Sequence, residues 1–361
     1  MLSYFPGGII ADRFPVRKLL AFSLWTTALG GLYLSRIPNK IELSMLFAYW
    51  GCTTILLFWA ALIRTTREWG GVLSQGRAFG FLDGGRGLIA AGAASLIVIV
   101  FSSALPVDSE SASELQLQHA LQLVIYVYTA ITFIAGAIVW WLIPDNQDRQ
   151  ATISAHSLVN IKHVLGKPVI WLQAIIVICA YCTYKGLDNY ALYVNQVLGM
   201  NDVESAEFTS NAAFLRPIAA IAAGFLADRF ITSNIVKYSF LVLIFCYTAL
   251  FLLSPSLMVE KLIIANILVS FVGVYAIRGI YFALLEESNT SFNITGTAVG
   301  LISVIGFTPD IFFHSIAGRI LDASPGLLGH QNFFLLLTIL SITGMLATLF
   351  ISRTKRINLT N

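Results

Sequence analysis

The amino-acid sequence predicts an all-α, polytopic membrane protein built as two pseudo-symmetric helical bundles, and three observations carry that prediction. The chain is 57% hydrophobic and only 11% charged, with a mean hydropathy of +0.79. Soluble domains carry about 25% charged residues and could not hide so much apolar surface. Several apolar runs reach roughly 20 residues, the length a helix needs to cross a bilayer. The runs are continuous rather than alternating, so helices satisfy the backbone better than barrel strands would. Finally, one short stretch occurs twice: Gly8 to Phe14 reads G-I-I-A-D-R-F and Gly224 to Phe230 reads G-F-L-A-D-R-F. Each copy ends an apolar segment and leads through basic residues into another, which implies a duplicated hairpin and two related halves.

Taken in order, Met1 to Ile10 is the tail of a helix too short to span. Full spans follow at Leu19–Leu34, Ser44–Ile63, Gly84–Leu105 and Ala120–Ile143. A polar stretch, 144–167, carries Asp145, Asp148, Arg149, His156, Lys162 and His163 and separates the halves. Spans resume at Pro168–Tyr193, Phe208–Ala227, Ile235–Leu253, Lys261–Leu285, Thr295–Ile320 and Gln331–Ile351. The reading is thus ten spans and a stub: an N-terminal bundle at 1–143, a linker, a C-terminal bundle at 168–352, and a tail at 353–361. Two spans precede the second A-D-R-F, whereas only a few residues precede the first. If the halves are repeats, roughly 50–60 residues are expected to be missing ahead of Met1, the length of two helices and a turn.

Lys and Arg set the orientation. Fourteen of the 22 fall in loops on the side of the two A-D-R-F stretches, and four on the other. The fourteen are expected to face the cytoplasm, together with the C-terminus. Arg86, Lys185, Arg216 and Arg278 lie within spans or at their edges. A net charge of +3 does not suggest nucleic acid. The sequence holds no nucleotide-binding loop and no paired Ser, His and Asp pattern for catalysis, so an enzyme is not expected. Cys52, Cys179, Cys182 and Cys246 all fall in apolar spans. Cys179 and Cys182 read as two small apolar residues on one helix face, without the further ligands a metal site needs. No cofactor is expected.

The first copy extends to G-x-x-A-D-R-F-x-x-R-K, ending at Arg17 and Lys18. It resembles the signature loop between helices two and three of the major facilitator superfamily, and the second copy resembles its weaker echo between helices eight and nine. The signature has glycine where this chain has Pro15, a departure that bears on the loop's conformation. Two further stretches, G-R-A-F-G-F-L-D-G-G-R-G-L from Gly76 and S-V-I-G-F-T-P-D-I-F within Gly296–Asp322, resemble a nitrate-porter-like or sugar-operon permease branch. The resemblance implies a monomeric secondary transporter importing a small organic anion or sugar derivative, open to alternate sides of a bacterial inner membrane and coupled to protons or another ion. The alternative function is a membrane binding or sensor protein, or an inactive remnant, that does not transport.

Candidate residues follow from that reading. The resemblance makes Gly8, Asp12, Arg13, Arg17 and Lys18, with Gly224, Asp228 and Arg229, a cytoplasmic gate. Asp12 is expected to face the start of the span near Thr295, and Asp228 the start of the span at Asp83 to Arg86. A carboxylate is favoured at a helix N-terminus by about 0.3–1 kcal/mol. The basic residues are expected to tether the loops to carboxylates. Asp83 and Arg86, three apart on one face, are either a self-paired surface couple or part of the gate. Arg216 lies near the middle of its span, where an arginine costs at least ~2.5–3.5 kcal/mol. It is either an anion-binding group or half of a buried ion pair; its planar donor fork suits carboxylate, phosphate or nitrate. Lys185 and Asp188 are either substrate contacts or a mutually neutralised pair, with Tyr184 and Asn189 as hydrogen-bonding groups beside them. Asp310 and His314, four apart after Pro309, are candidates for proton coupling, and Asp188 joins them. Arg278 either snorkels toward the interface with Glu286 and Glu287 as partners or contacts substrate.

Overall fold

Polar caps and breakers punctuate an almost wholly helical chain. The computed structural model describes residues 1–104, 113–144, 157–254 and 259–360, and among them there is no strand. In chain order the helices are α1 (Tyr4–Arg13), α2 (Val16–Leu34), α3 (Lys40–Gly70), α4 (Gln75–Ser103), α5 (Glu114–Leu142), α6 (Ser157–Leu165) and α7 (Pro168–Leu198). They continue with α8 (Asp202–Arg229), α9 (Thr232–Leu252), α10 (Glu260–Glu287), α11 (Phe292–Ala323) and α12 (Leu327–Thr360). Asn39 with Glu42, Ser113 with Gln116, and Asn201 with Glu204 form reciprocal capping boxes at the starts of α3, α5 and α8, satisfying donors that the first helical turn leaves unpaired. Gly199, at φ +74°, ends α7 in the left-handed conformation that a β-carbon disfavours. Pro309, at the first position of a new helical stretch, restarts α11 after a break at Phe307–Thr308.

Nine of these segments among the described residues are long and apolar enough to cross a membrane. The tenth expected span is α2, whose 19 residues rise about 28 Å. Its basic first turn, Arg17 and Lys18, and its Thr and Gly residues lower its apolar content below that of the nine. The helices also outrun the apolar runs that announced them. α4 begins at Gln75 rather than Gly84, because its polar first turns are docked against α8 instead of ending at a lipid boundary. The segment Gly51–Trp59 within α3 is wound as a π-helix, a rare geometry often found beside functional sites. Of the linker, α6 is described, while Asp145, Asp148, Arg149 and His156 lie outside the described residues.

α2 packs on α5 and α3, and α9 on α12 and α10. The N-terminal helices meet the C-terminal ones chiefly along two seams, α1 against α11 and α4 against α8. Glycines permit both. A β-carbon on Gly8 would strike the carbonyl of Gly296, and one on Gly76 would strike the carbonyl of Gly224. Such close backbone approach is what small residues allow between helices in a bilayer.

Candidate functional site

One turn beyond each glycine of the repeated motif stands its aspartate, on the same helix face. Asp12 is buried, and it accepts hydrogen bonds from the backbone N–H of Gly296 (2.7 Å) and Thr297 (2.7 Å) and from Thr297 Oγ1 (2.6 Å). Asp228 accepts from the N–H of Gly76 (2.6 Å) and Arg77 (3.1 Å) and from Arg77 Nε (2.8 Å). Each carboxylate thus caps a helix of the other half. Asp12 meets the helical stretch that starts at Thr295. Asp228 meets α4 at its first turn, two turns before the expected Asp83–Arg86, because the helix starts earlier than its apolar run.

Between the two caps runs a belt centred on Arg67, which is 1% exposed. Its guanidinium donates to Thr295 Oγ1 (2.6 Å), the Thr290 carbonyl (2.6 Å) and Glu286 (3.0 Å). Its own carbonyl accepts from Gln75 Nε2 (2.8 Å). The belt joins Asp12 to Asp228 through contiguous contacts, so both A-D-R-F hairpins lie at the same end of the bundle. Arg64, paired with Glu68 at 2.9 Å, donates to the carbonyl of Ala11 and holds α1 in place. This is the tethering expected of the loop's own basic residues. Arg13 and Lys18 instead are exposed, with no carboxylate partner among the described residues, and Arg17 lies over the Trp140 ring at 5.0 Å. Arg229 is exposed beside the Phe230 ring. Sequence reasoning missed Arg64 and Arg67 by counting them as orienting charges. The available signal was their i, i+3 spacing, with Glu68 one turn after Arg64, at the end of a span.

Inward from the belt comes an aromatic layer. Trp59 packs against Tyr4, Phe282 and Phe307, and its Nε1 donates to Ser303 Oγ (2.9 Å). Next comes a layer of charge. Asp83, 5% exposed, accepts from Arg216 through Nη2 (2.7 Å) and Nε (3.1 Å), and from Arg278 Nε at 3.4 Å. Counting 1.5 Å per residue from the basic end, these groups sit roughly 12–20 Å deep, near the middle of a ~30 Å hydrocarbon layer. The bidentate geometry is the strong form of the arginine–carboxylate pair. Of the two readings of Arg216, the structure displays the interhelical ion pair; Arg216 faces α4 and not lipid.

Three pairings expected from sequence proximity are replaced. Asp83 binds Arg216 and Arg278 rather than Arg86, whose guanidinium instead stands over the Trp59 ring at 5.5 Å. Arg278 neither snorkels nor meets Glu286 and Glu287. It lies 3.7 Å over the Tyr184 ring, while Glu286 binds Arg67 and Glu287 accepts from Ser233 N–H. Lys185 and Asp188 do not pair with each other. Lys185 binds Asp310 at 3.0 Å, and Asp188 approaches His314 at 3.7 Å. Tyr181 also donates to Asp310 (2.9 Å). In each case the observed partner lies on a different helix. Asn189 keeps a buried Nδ2 without a partner.

A cavity of about 370 Å³ opens between the halves, lined by α1, α2, α3, α4, α7, α10 and α11. Arg86 and Arg278 line it, with Tyr4, Trp59, Tyr181 and Phe307 as aromatic walls. The hydroxyls of Ser23, Thr27 and Thr54 also line it, their protons donated to the Thr53 carbonyl, Thr53 Oγ1 and the Trp50 carbonyl. The belt and the aromatic layer separate it from the basic end. Among the described residues, no cluster of His, Cys, Asp and Glu could hold a metal ion.

The family model of the Major Facilitator Superfamily matches residues 1–288. The chain belongs to the Major Facilitator Superfamily. It is a multi-pass membrane protein of a family of transporters, not enzymes. Two curated relatives from Escherichia coli K12 resemble it over nearly its whole length. Inner membrane protein YqcE is 28% identical over 345 residues, covering 93% of this chain and 79% of the relative. Inner membrane protein YihN is 27% identical over 365 residues, covering 99% and 84%. Among solved structures, a single-site variant of the E. coli fucose:proton symporter FucP superposes with a TM-score of 0.74 at 15% identity, covering 97% of this chain and 87% of that one. At that identity the likeness speaks to the superfamily fold.

Proposed function

We propose that this protein is a secondary transporter of a small anionic solute, sited in the bacterial inner membrane and working by alternating access. The observation that carries the reading is the pair of guanidiniums, Arg86 and Arg278, that line a cavity between the two sets of helices. Arg278 meets Asp83 only through a long 3.4 Å contact at Nε, and Arg86 has no carboxylate partner among the described residues. Arginine does not deprotonate in proteins, so both remain charged donors facing a space large enough for a small organic molecule. Arg216 acts as a positioning residue. By occupying both oxygens of Asp83, it limits how far that carboxylate neutralises Arg278. Lys185, Tyr184 and Asn189 supply secondary contacts toward the far end.

In this reading the two bundles, 1–143 and 168–352, rock about the cavity, and the belt with its two aspartate caps is the cytoplasmic gate, here shut. Binding near the midplane at the interface of two repeats is the general arrangement of such carriers. Protons drive the cycle through Asp310, held by Lys185 and Tyr181, with His314 and Asp188 beside it. Tyr181 connects this cluster to the site, since its ring also lies 5.8 Å from the Arg278 guanidinium. Protonating Asp310 weakens its hold on both partners and loosens α7 from α11.

The test is uptake into proteoliposomes of the full chain. Arg278→Gln and Arg86→Gln are each expected to abolish uptake of the transported anion while leaving the protein folded. Uptake undiminished in both variants would falsify the anion reading, and no uptake by the unaltered protein would favour a binding protein. Asp310→Asn is expected to remove stimulation by a proton gradient but to spare exchange of unlabelled for labelled solute across equal pH. Gradient stimulation that persists removes Asp310 from the coupling path.

A further inference from the structure

We infer that the solute carries two negative charges: the site is built for a dianion. The inference rests on the reading of the cavity as the transport site and narrows its substrate class. The argument is an inventory of charge. Three guanidiniums, Arg86, Arg216 and Arg278, surround one carboxylate, Asp83. All three stay protonated, so this layer holds two positive charges in excess. The neighbouring Lys185–Asp310 pair is neutral in itself, and Asp188 with His314 is more than half exposed at 58% and 51%.

Excess charge in a water-poor interior is unfavourable unless matched. A neutral solute leaves both charges unmatched, and a monoanion leaves one. A dianion matches both. The geometry agrees. The two guanidiniums stand on different helices, Arg86 on α4 and Arg278 on α10, and both residues line the cavity. Asp83 accepts from Arg278 only through Nε, at 3.4 Å, so the Arg278 charge is held more loosely than that of Arg216 at 2.7 Å. A solute with two anionic groups, or with one doubly charged group, bridges the two helices and draws them together. The aromatic walls and the hydroxyls of Ser23, Thr27 and Thr54 suit a short carbon skeleton with polar substituents. Dicarboxylates and phosphomonoesters share this chemistry.

Binding to the purified full chain in nanodiscs tests it, read by calorimetry at pH 8. The probes are succinate and glucose 6-phosphate as dianions, butyrate and gluconate as monoanions, and glucose as the neutral control. At least one dianion is expected to bind 10-fold or more tightly than either monoanion, and which one binds separates carboxylate from phosphate recognition. Arg86→Gln is expected to weaken the dianion by roughly 10- to 100-fold, the loss typical of a hydrogen bond to a charged group, and to narrow the ratio of dianion to monoanion affinity. Arg86→Lys retains the charge and the preference, which guards against a general defect in folding. Equal affinity for monoanions and dianions, or a preference unchanged in Arg86→Gln, overturns the dianion and leaves anion transport standing. Binding of glucose alone, or of none of the probes, overturns both.

Discussion

Asp12 and Asp228 occupy equivalent positions in the two A-D-R-F hairpins, each one turn beyond a glycine that touches a glycine of the opposite half. Asp12 receives all three of its hydrogen bonds from α11, two of them from the backbone and one from Thr297, in a buried setting. Asp228 receives its third from Arg77, whose side chain is 44% exposed. One cap is therefore a dry, geometrically fixed contact and the other a partly solvated ion pair. The comparison teaches that repeat symmetry kept the position of the carboxylate but not the strength of its hold. The α1–α11 seam should dominate the energy that keeps this end shut, and the α4–α8 seam should be the first to yield.

The strongest way to break that comparison is Asp12→Ala. It leaves the N–H groups of Gly296 and Thr297 without acceptors; burial opposes the carboxylate's charge and lifts its pKa to about 6, while the three donors act the other way. Charge-assisted bonds contribute about 1.5–3 kcal/mol each and are not additive, so the closed state should lose roughly 3–5 kcal/mol. Spin labels on Phe14→Cys and Asn293→Cys, flanking this seam, should report a longer distance and a broader distribution. An unchanged distance would remove Asp12 from the gate.

Asp228→Ala should have a smaller effect, roughly 1–2 kcal/mol, because its pairing with Arg77 is screened by solvent. Labels on Leu73→Cys and Phe230→Cys follow that seam. Raising salt from about 0.05 to 0.5 M should loosen the α4–α8 seam in the unaltered protein and leave the α1–α11 seam as it was, since screening acts on exposed pairs more than on buried ones. Equal salt responses at the two seams would dissolve the distinction between them.

The contact of each A-D-R-F aspartate with the opposite half was legible in the sequence because its signal is local: a repeated heptapeptide with the glycine and aspartate on one face. Membrane character was legible for the same reason, in the apolar runs. The central layer was legible only as residue types. Arg216, Arg278, Lys185 and Asp310 each stood out as charges inside apolar spans; Arg278 and Lys185 were paired with residues of their own helices, Asp310 was set beside His314, and Arg216 was given no named partner. Asp83 meets Arg216 across 133 residues and Arg278 across 195. No spacing rule reaches across such separations; the packing of α4 between α8 and α10 creates the pairs. Arg67 was hidden by a different route. The excess of positive charge on one side of the membrane explains a loop arginine so readily that a buried one at a helix end attracts no separate notice.

The subtlest difference between the hairpins lies three residues beyond each aspartate. Pro15 holds φ −57° and ψ 122°, whereas Ile231 holds φ 102° and ψ 122°. The second hairpin thus turns through a conformation that suits glycine and is strained for a β-branched residue. The first turns through one that the pyrrolidine ring already enforces. Replacing each by glycine should therefore act in opposite directions. Ile231→Gly relieves a backbone penalty of about 1–2 kcal/mol, offset in part by the greater freedom glycine gives the unfolded chain. A net gain of roughly 0.5–1 kcal/mol is expected, visible as a small rise in the melting temperature in detergent. Pro15→Gly only enlarges the unfolded ensemble and should lower stability by about 0.4–1 kcal/mol. Two losses of similar size would mean that the turn at Ile231 carries no strain. Two gains would mean that the first hairpin is held in a conformation Pro15 does not favour.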